Sequence, residues 1–442
     1  MNFLENIALP QSAHHIELLY GLLILTFILF IPYLALVNGA LFYSLYFNRK
    51  GNKTGEDKYF SIAKRIIDLV TFNKSMSFAV GVIPLLSIIF SYAQLLQGTN
   101  SGVPEYLLFA LISLLLSLIS LYTFKYSFHL KGLLDNLTNE DLEAEKYKAG
   151  VQTLFNKTGR YSLLFTILTA WIFIGAVTMA RQASLWDNNF IELLFSLKSI
   201  VNLFGFFFLS IFITSVVSFY VYFKPNSEFV LGEEESNLLK SVSLKGALTS
   251  LVILPAFILF DLLLTSSEAL NGNLFVFSLF AVIALIFIGN FVYLMIKNES
   301  TDYVTSVLFL SLIFIIFMVV KDQSAFETST KYQYVQLASS FENYKVDLQK
   351  QYGAFKEAAI SGEDIFNGRC VACHSFDKKV VGPAYNTVLG KYDGKIDQLV
   401  NFIMNPVKIN PDFPNMPNQG LKPNEAKAVA EYILSVYKQN NP

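Results

Sequence analysis

From Leu19 to Val320 the chain is apolar almost without interruption, and beyond Val320 its composition is that of an ordinary soluble domain. That contrast limits the fold more than any motif does. A hydrocarbon core about 30 Å thick is crossed by a helix of roughly 20 apolar residues, because in lipid every backbone N–H and C=O must find its partner within the segment. Eight segments meet this requirement: about Leu19 to Phe47, Met76 to Leu96, Tyr106 to Phe124, Tyr161 to Met179, Ser199 to Phe223, Leu248 to Leu264, Leu274 to Met295 and Tyr303 to Val320. Pro32 lies inside the first and is expected to kink or distort it, and Pro255 lies inside the sixth. Of the 442 residues 53% are hydrophobic and only 15% charged, against about 25% charged in soluble proteins. The expected fold class is mainly α, with three parts: a polytopic bundle of about eight transmembrane helices (1–320), a partly helical linker (321–354) and a small all-α domain (355–442).

Lysine and arginine gather on alternate loops. Arg49, Lys50, Lys53, Lys58, Lys64, Arg65 and Lys74 follow the first span, and Lys131, Lys146, Lys148, Lys157 and Arg160 follow the third. Lys224, Lys240 and Lys245 follow the fifth, whereas the loops after the second and sixth spans carry none. The loop after the fourth has Arg181 and Lys198. Basic loops stay cytoplasmic. The N-terminus is therefore expected outside, and an even number of crossings brings the C-terminal domain outside as well. Residues 1–18 lack the basic region and small-residue cleavage site of a signal peptide, so the first span is expected to remain a membrane helix. A net charge of −1 argues against nucleic acid as a partner.

The chain has two cysteines, both in Cys370-Val371-Ala372-Cys373-His374. Two thiols at this spacing with a histidine directly after are the pattern of covalent haem c attachment. Each thiol adds across a haem vinyl group as a thioether, and the histidine is left beneath the iron as proximal ligand. A disulfide or a redox Cys-x-x-Cys is the competing reading, and the adjacent His374 and the small Ala372 weigh against it. Haem c is attached outside the cytoplasm. The motif and the loop charges thus point to one topology: spans in a bacterial inner membrane and haem domain in the periplasm.

The histidine count is informative. Besides His374 the chain has His14, His15 and His129, none in the middle of a span, whereas membrane haem b is commonly held by intramembrane histidines. His14 and His15, at the outer mouth of the first span, read either as interfacial residues or as contacts to a cofactor at the outer face. Polar groups inside lipid are costly and call for a reason. Arg181 and Asp261, at the outer ends of the fourth and sixth spans, would offset each other's desolvation by pairing, or Asp261 could reach the outer interface. Asn38, Asn202 and Asn290 are expected to bridge helices by hydrogen bonds.

From about Phe355 to Lys438 the chain resembles the monohaem class I cytochromes c. Gly362, Ile365 and Phe366 prepare a short helix running into Cys370, and Ala426, Val429, Ala430, Ile433 and Leu434 form the apolar stripe of a closing helix that begins at Pro423. That stripe should pack across the helix entering Cys370, with Tyr432 facing either the haem side or the helix contact. The resemblance implies that a carbonyl at Gly382-Pro383 accepts the ring N–H of His374 and so orients the imidazole. It also implies a sixth ligand, Met416, in the proline-flanked loop Phe413 to Leu421, whose thioether raises the reduction potential. Met404 competes for that role from an apparent helix, Ile396 to Met404. Before this domain, Lys321 to Lys331 reads as polar and irregular, and Leu337, Phe341, Tyr344 and Leu348 then recur at helical spacing.

The membrane half resembles subunit I of the cytochrome bd oxygen reductases. Leu29-Phe30-Ile31-Pro32 is similar to the Leu-Phe-Val-Pro opening of that subunit, and Phe78-Ala79-Val80-Gly81-Val82, preceded by Phe72-Asn73, to its Phe-Ala-x-Gly-Val stretch. The loop containing Trp186, the Phe190 to Leu194 turn and the following helix extend the likeness over some 220 residues. Members with a C-terminal cytochrome c exist in that family. The resemblance puts haem b histidines at about Phe27 and Asn202 here, and the acids of the oxygen site on a third helix that has only Glu105 at its mouth. One haem c and no haem b is therefore the expectation. The chain reads as a membrane-anchored electron-transfer subunit of a respiratory complex, more than as its catalytic subunit. Its expected partners are bd-like membrane subunits, further haem proteins and a soluble periplasmic cytochrome c. The rival readings are the catalytic subunit of a bd-like oxygen reductase or quinol oxidase, and a structural scaffold.

Overall fold

The computed structural model describes residues 11–135, 142–186, 189–229, 231–352 and 361–440. All regular elements among them are helical. The chain divides into two compact units, Met1–Tyr344 and Lys345–Pro442.

The first unit is a helical bundle, and among its described residues eight helices are long and apolar enough to cross a membrane. Helix α1 (Ala13–Thr54) starts at Ser12, whose hydroxyl accepts the N–H of His15, and stops at Gly55, which takes the left-handed φ of +72°. It runs through Pro32 as one helix. Helix α2 (Asp57–Val70) is too short and polar to span. Its buried Tyr59, Ile62, Ala63, Ile66, Ile67 and Val70 form one stripe, because residues three and four apart share a helix face. Then follow α3 (Lys74–Leu95, with a π turn at Phe78–Val82), α4 (Val103–Asp135) and α5 (Leu142–Ala180). The bundle closes with α6 (Leu197–Phe223), α7 (Glu233–Leu263), α8 (Gly272–Lys297) and α9 (Val304–Ser329). Aromatic rings fill the centre: Phe173 meets Phe27 and Phe30 at 5.5 and 4.9 Å between centroids. Helices α1 and α6 cross closely at Gly39, where a Cβ would run into the Ser210 carbonyl and the Thr214 hydroxyl.

Three sequence expectations need correction. Lys321 to Lys331 is not irregular: α9 continues to Ser329, and α10 (Lys331–Gln351) follows at once. The polar composition that reads as a loop is a set of buried partners, with Lys321 only 1% exposed. Arg181 and Asp261 do not form the expected pair. Arg181 donates to Asp322 at 2.6 Å, while Asp261 takes Lys321 at 2.5 Å, since the extension of α9 brings charges of both signs to the same place. Asn290 is exposed on α8, and among the described residues neither it nor Asn38 or Asn202 makes a side-chain hydrogen bond to another helix.

Helix α10 contains the division between the units. Its beginning belongs to the first, with Leu337 in that core and the Gln333 amide donating to the Gln97 carbonyl at 2.6 Å. Phe341 is half-buried and Tyr344 exposed. The second unit is built on α11 (Gly362–Ile365), which runs into a π turn at Phe366–Cys370, on α12 (Ile396–Met404) and on α13 (Pro423–Asn440). Proline at a first helical position removes one of the N–H groups that would otherwise lack an intrahelical partner. Ala426, Val429, Ala430, Ile433 and Leu434 of α13 are all buried with Phe366, Leu389, Leu399 and Ile403.

Candidate functional site

In the second unit the backbone folds tightly around the two cysteines. The carbonyl of Cys370 accepts the N–H groups of Cys373 and His374 at 3.1 and 2.9 Å, and the carbonyl of Cys373 accepts those of Val381 and Gly382 at 3.2 and 2.8 Å. The segment after the histidine is thereby folded back under it. The ring Nδ1–H of His374 donates to the Pro383 carbonyl over 3.4 Å, which leaves Nε2 as the free ring nitrogen. The Tyr385 ring stacks on the imidazole, 4.8 Å between centroids and 14° from parallel. Gly382 lies so near that a Cβ there would occupy the imidazole's place. Burial pushes the His374 pKa down, against the raising effect of the Pro383 bond, so the neutral ring is favoured. Burial likewise raises the Cys370 thiol and the Tyr385 phenol.

Cys370, Cys373, His374, Gly382, Pro383 and Met416 all line one cleft. Its wall is apolar, with Leu389, Leu399, Phe402 and Ile403 among the lining residues. Met416 arrives there on a loop fixed at several points. The Arg369 guanidinium donates to the Gln419 carbonyl at 2.7 Å, and the Asn418 amide to the Met404 carbonyl at 2.8 Å. Gly420 closes the loop at φ +63°, and Lys379 sits 4.5 Å from the centroid of Phe413. Met404 ends α12 and packs on the core rather than lining the cleft. Tyr432 lies at the helix contact, 5.6 Å between centroids from Phe366. Sequence reasoning missed Tyr385 and the anchors Arg369 and Asn418. Nothing in their local sequence marks them, because each acts on a residue brought near only by the fold.

A second polar cluster lies in the membrane unit. Lys321 bridges Asp261 and Asp322 at 2.5 and 3.0 Å, and Arg181 reaches the same Oδ1 of Asp322 at 2.6 Å. The Lys198 ammonium donates to Thr265 at 3.2 Å. Of the other singled-out residues, His14 and His15 are exposed, and His129 lies 3.6 Å from Asp68.

Two thiols, a neutral imidazole oriented by a carbonyl and a thioether, all on one apolar cleft, are a donor set that fits a covalently attached haem. The second unit is thus of the class of small all-α haem domains that carry electrons. Its family follows from its relatives. Residues 359–437 match the family described as Cytochrome c. Cytochrome c-551 of Pseudomonas denitrificans is 41% identical over 80 residues, 98% of its own length and 17% of this chain. Cytochrome c-551 of Ectopseudomonas mendocina is 38% identical over 80 residues, again 98% of that protein and 17% of this chain. Cytochrome c-552 of Hydrogenobacter thermophilus is 39% identical over 72 residues, 71% of its length and 15% of this chain. The chain belongs to the cytochrome c family through this domain, which implies covalently bound haem c and electron transfer. Eight helices among the described residues are long and apolar enough to cross a membrane, which points to a membrane protein to which this domain is anchored.

Proposed function

We propose that the chain is the membrane-anchored c-type cytochrome subunit of a respiratory electron-transfer complex in a bacterial inner membrane, with its haem domain in the periplasm. When bound, the haem supplies one-electron chemistry by cycling between ferrous and ferric iron. Cys370 and Cys373 would hold it through thioethers, and His374 and Met416, which line the same cleft, would ligate its iron. The observation that carries this reading is the convergence of all four side chains, with Gly382 and Pro383, on one cleft. Pro383 orients the imidazole through Nδ1–H, Tyr385 packs its face, and the apolar wall keeps water from the ligands. Low local polarity and a thioether ligand both favour the reduced state.

The membrane unit is proposed to be a bd-like subunit that carries no haem b. Phe27 and Asn202, the places where the resemblance puts haem b histidines, line one cavity between the helices. Their convergence supports the alignment. Their chemistry speaks against a b-haem, because a phenyl ring has no lone pair and a carboxamide is a poor iron ligand. A cofactor-poor anchor with one haem c needs redox partners: other membrane subunits with further centres, or a soluble cytochrome c. A pyridine haemochrome assay on the purified full chain tests this reading. One haem c per chain and no haem b is expected. Stoichiometric haem b would favour an active oxidase subunit instead.

A further inference from the structure

The cavity between α1, α5, α6, α7 and α9 has an apolar end and a charged end. Phe27 and Leu34 on α1, Asn202 and Leu209 on α6, and Leu254 and Asp261 on α7 all line it. Each pair is seven residues apart, so at 1.5 Å rise per residue the cavity runs roughly 10 Å along the helices. The charged end lies at the N-terminal ends of α1 and α6 and the C-terminal ends of α5, α7 and α9, where Arg181, Asp261, Lys321 and Asp322 line it. Those four side chains balance one another through the ion pairs already described. Lys198, one helical turn before Asn202 on α6, unbalances them. It is 9% exposed, its bond is to the neutral Thr265 hydroxyl, and among the described residues it has no carboxylate within ion-pair distance. Thr265 in turn donates to the Asp261 carbonyl at 2.7 Å, so Lys198 is held near the Asp261 end of the cavity, one turn beyond the lining residue Asn202 and itself outside the lining. With Lys198 protonated, the buried cluster holds three cations against two carboxylates. Burying a net charge away from water is costly unless a counter-charge comes with it.

We propose that this cavity binds an anionic amphiphile, its head at the Lys198 and Asn202 rim and its hydrocarbon chain along the apolar wall toward Leu34 and Leu254. The ligand supplies the one negative charge that the cluster lacks. An ammonium has three donors, and the Thr265 bond uses one of those of Lys198. Among the described residues the Asn202 amide has no hydrogen-bond partner of its own, so it too is left to meet a head-group oxygen. A fatty-acid carboxylate and a lipid phosphate share the required chemistry.

The test is isothermal titration of the full-length, haem-loaded protein in a neutral maltoside detergent, with dodecanoate, dodecyl phosphate and n-dodecanol as probes. Saturable binding of one anion per chain is expected, at least tenfold tighter than the alcohol. Tighter binding of the carboxylate points to a free fatty acid as the natural occupant, and of the phosphate to a lipid head group. Lys198→Met should bring the anion down to the level of dodecanol, and Lys198→Arg should keep it. Asn202→Leu, which removes no charge, should weaken both anions and serves if the methionine variant does not fold. The idea is overturned if dodecanol binds as tightly as the anions, if no probe saturates, or if both Lys198→Met and Asn202→Leu leave anion binding unchanged. In that last case Lys198 does no more than cap the end of α7 through Thr265.

Discussion

At the scale of single residues, the two methionines of the second unit make opposite predictions. Met416 lines the cleft, whereas Met404 packs on the core. Met416→Ala removes a soft sulfur ligand that favours ferrous iron. Its midpoint potential should fall by more than about 59 mV, one decade for a one-electron couple, in a spectroelectrochemical titration. Met404→Ala should leave the potential in place and lower stability by up to about 2 kcal/mol, less than a fully buried methionine would cost. Equal shifts in the two variants would sink the assignment. A second residue-scale prediction concerns the buried ions. Asp261→Asn strips Lys321 of its closest carboxylate in a site where that lysine is 1% exposed. Breaking one side of a buried pair costs about 3–5 kcal/mol, whereas replacing both sides by apolar groups can be neutral. Thermal unfolding should therefore show Asp261→Asn strongly destabilised, and Asp261→Leu with Lys321→Met recovering most of the loss. A double variant as weak as the single would mean that the loss does not come from the charge left unpaired on Lys321.

At the scale of elements, α9 shows what a composition window can and cannot see. Its apolar part was legible, as were all eight spans, because lipid demands about 20 apolar residues and the sequence supplies them in blocks. The ends were not legible. α4 and α5 extend to Asp135 and back to Leu142, and α9 carries on through Lys321, Asp322 and Gln323 to Ser329, since a helix that has left the apolar layer needs partners and not hydrophobicity. Those partners are far apart in sequence: local reading places Arg181 and Asp261 at the same outer face, but only the fold brings Asp322 to the one and Lys321 to the other. In the second unit the reverse holds. The Cys370 to His374 spacing and the α12 and α13 patterns are local and were readable, while Tyr385, Arg369 and Asn418 act across the fold. The continuity of α9 is testable. Ala325 is 1% exposed within it, and a proline there deletes a helical hydrogen bond and clashes with the preceding turn, at about 3 kcal/mol or more. Ala325→Pro should lower the melting temperature of the full chain markedly. A true loop at this position would tolerate it.

At the scale of the whole molecule, the proposal stands on orientation, because a haem c domain has to lie on the side where haem is attached. The loop between α3 and α4, Leu96 to Gly102, carries no lysine or arginine, while α2 and its flanks carry Lys53, Lys58, Lys64 and Arg65. Moving basic loops across a membrane is disfavoured, so the two regions should face opposite sides. The native thiols, held as thioethers, would not interfere with cysteine labelling. Ser101→Cys should then react with a membrane-impermeant maleimide in spheroplasts, and Lys53→Cys only after the membrane is opened. An even number of spans puts the C-terminal domain on the Ser101 side, so protease added outside should cut between the two units and release a haem-staining fragment. Labelling of Lys53→Cys in sealed spheroplasts, with the domain protected from protease, would reverse the topology. It would put the haem domain in the compartment where haem c is not attached, and the periplasmic relay would fall with it.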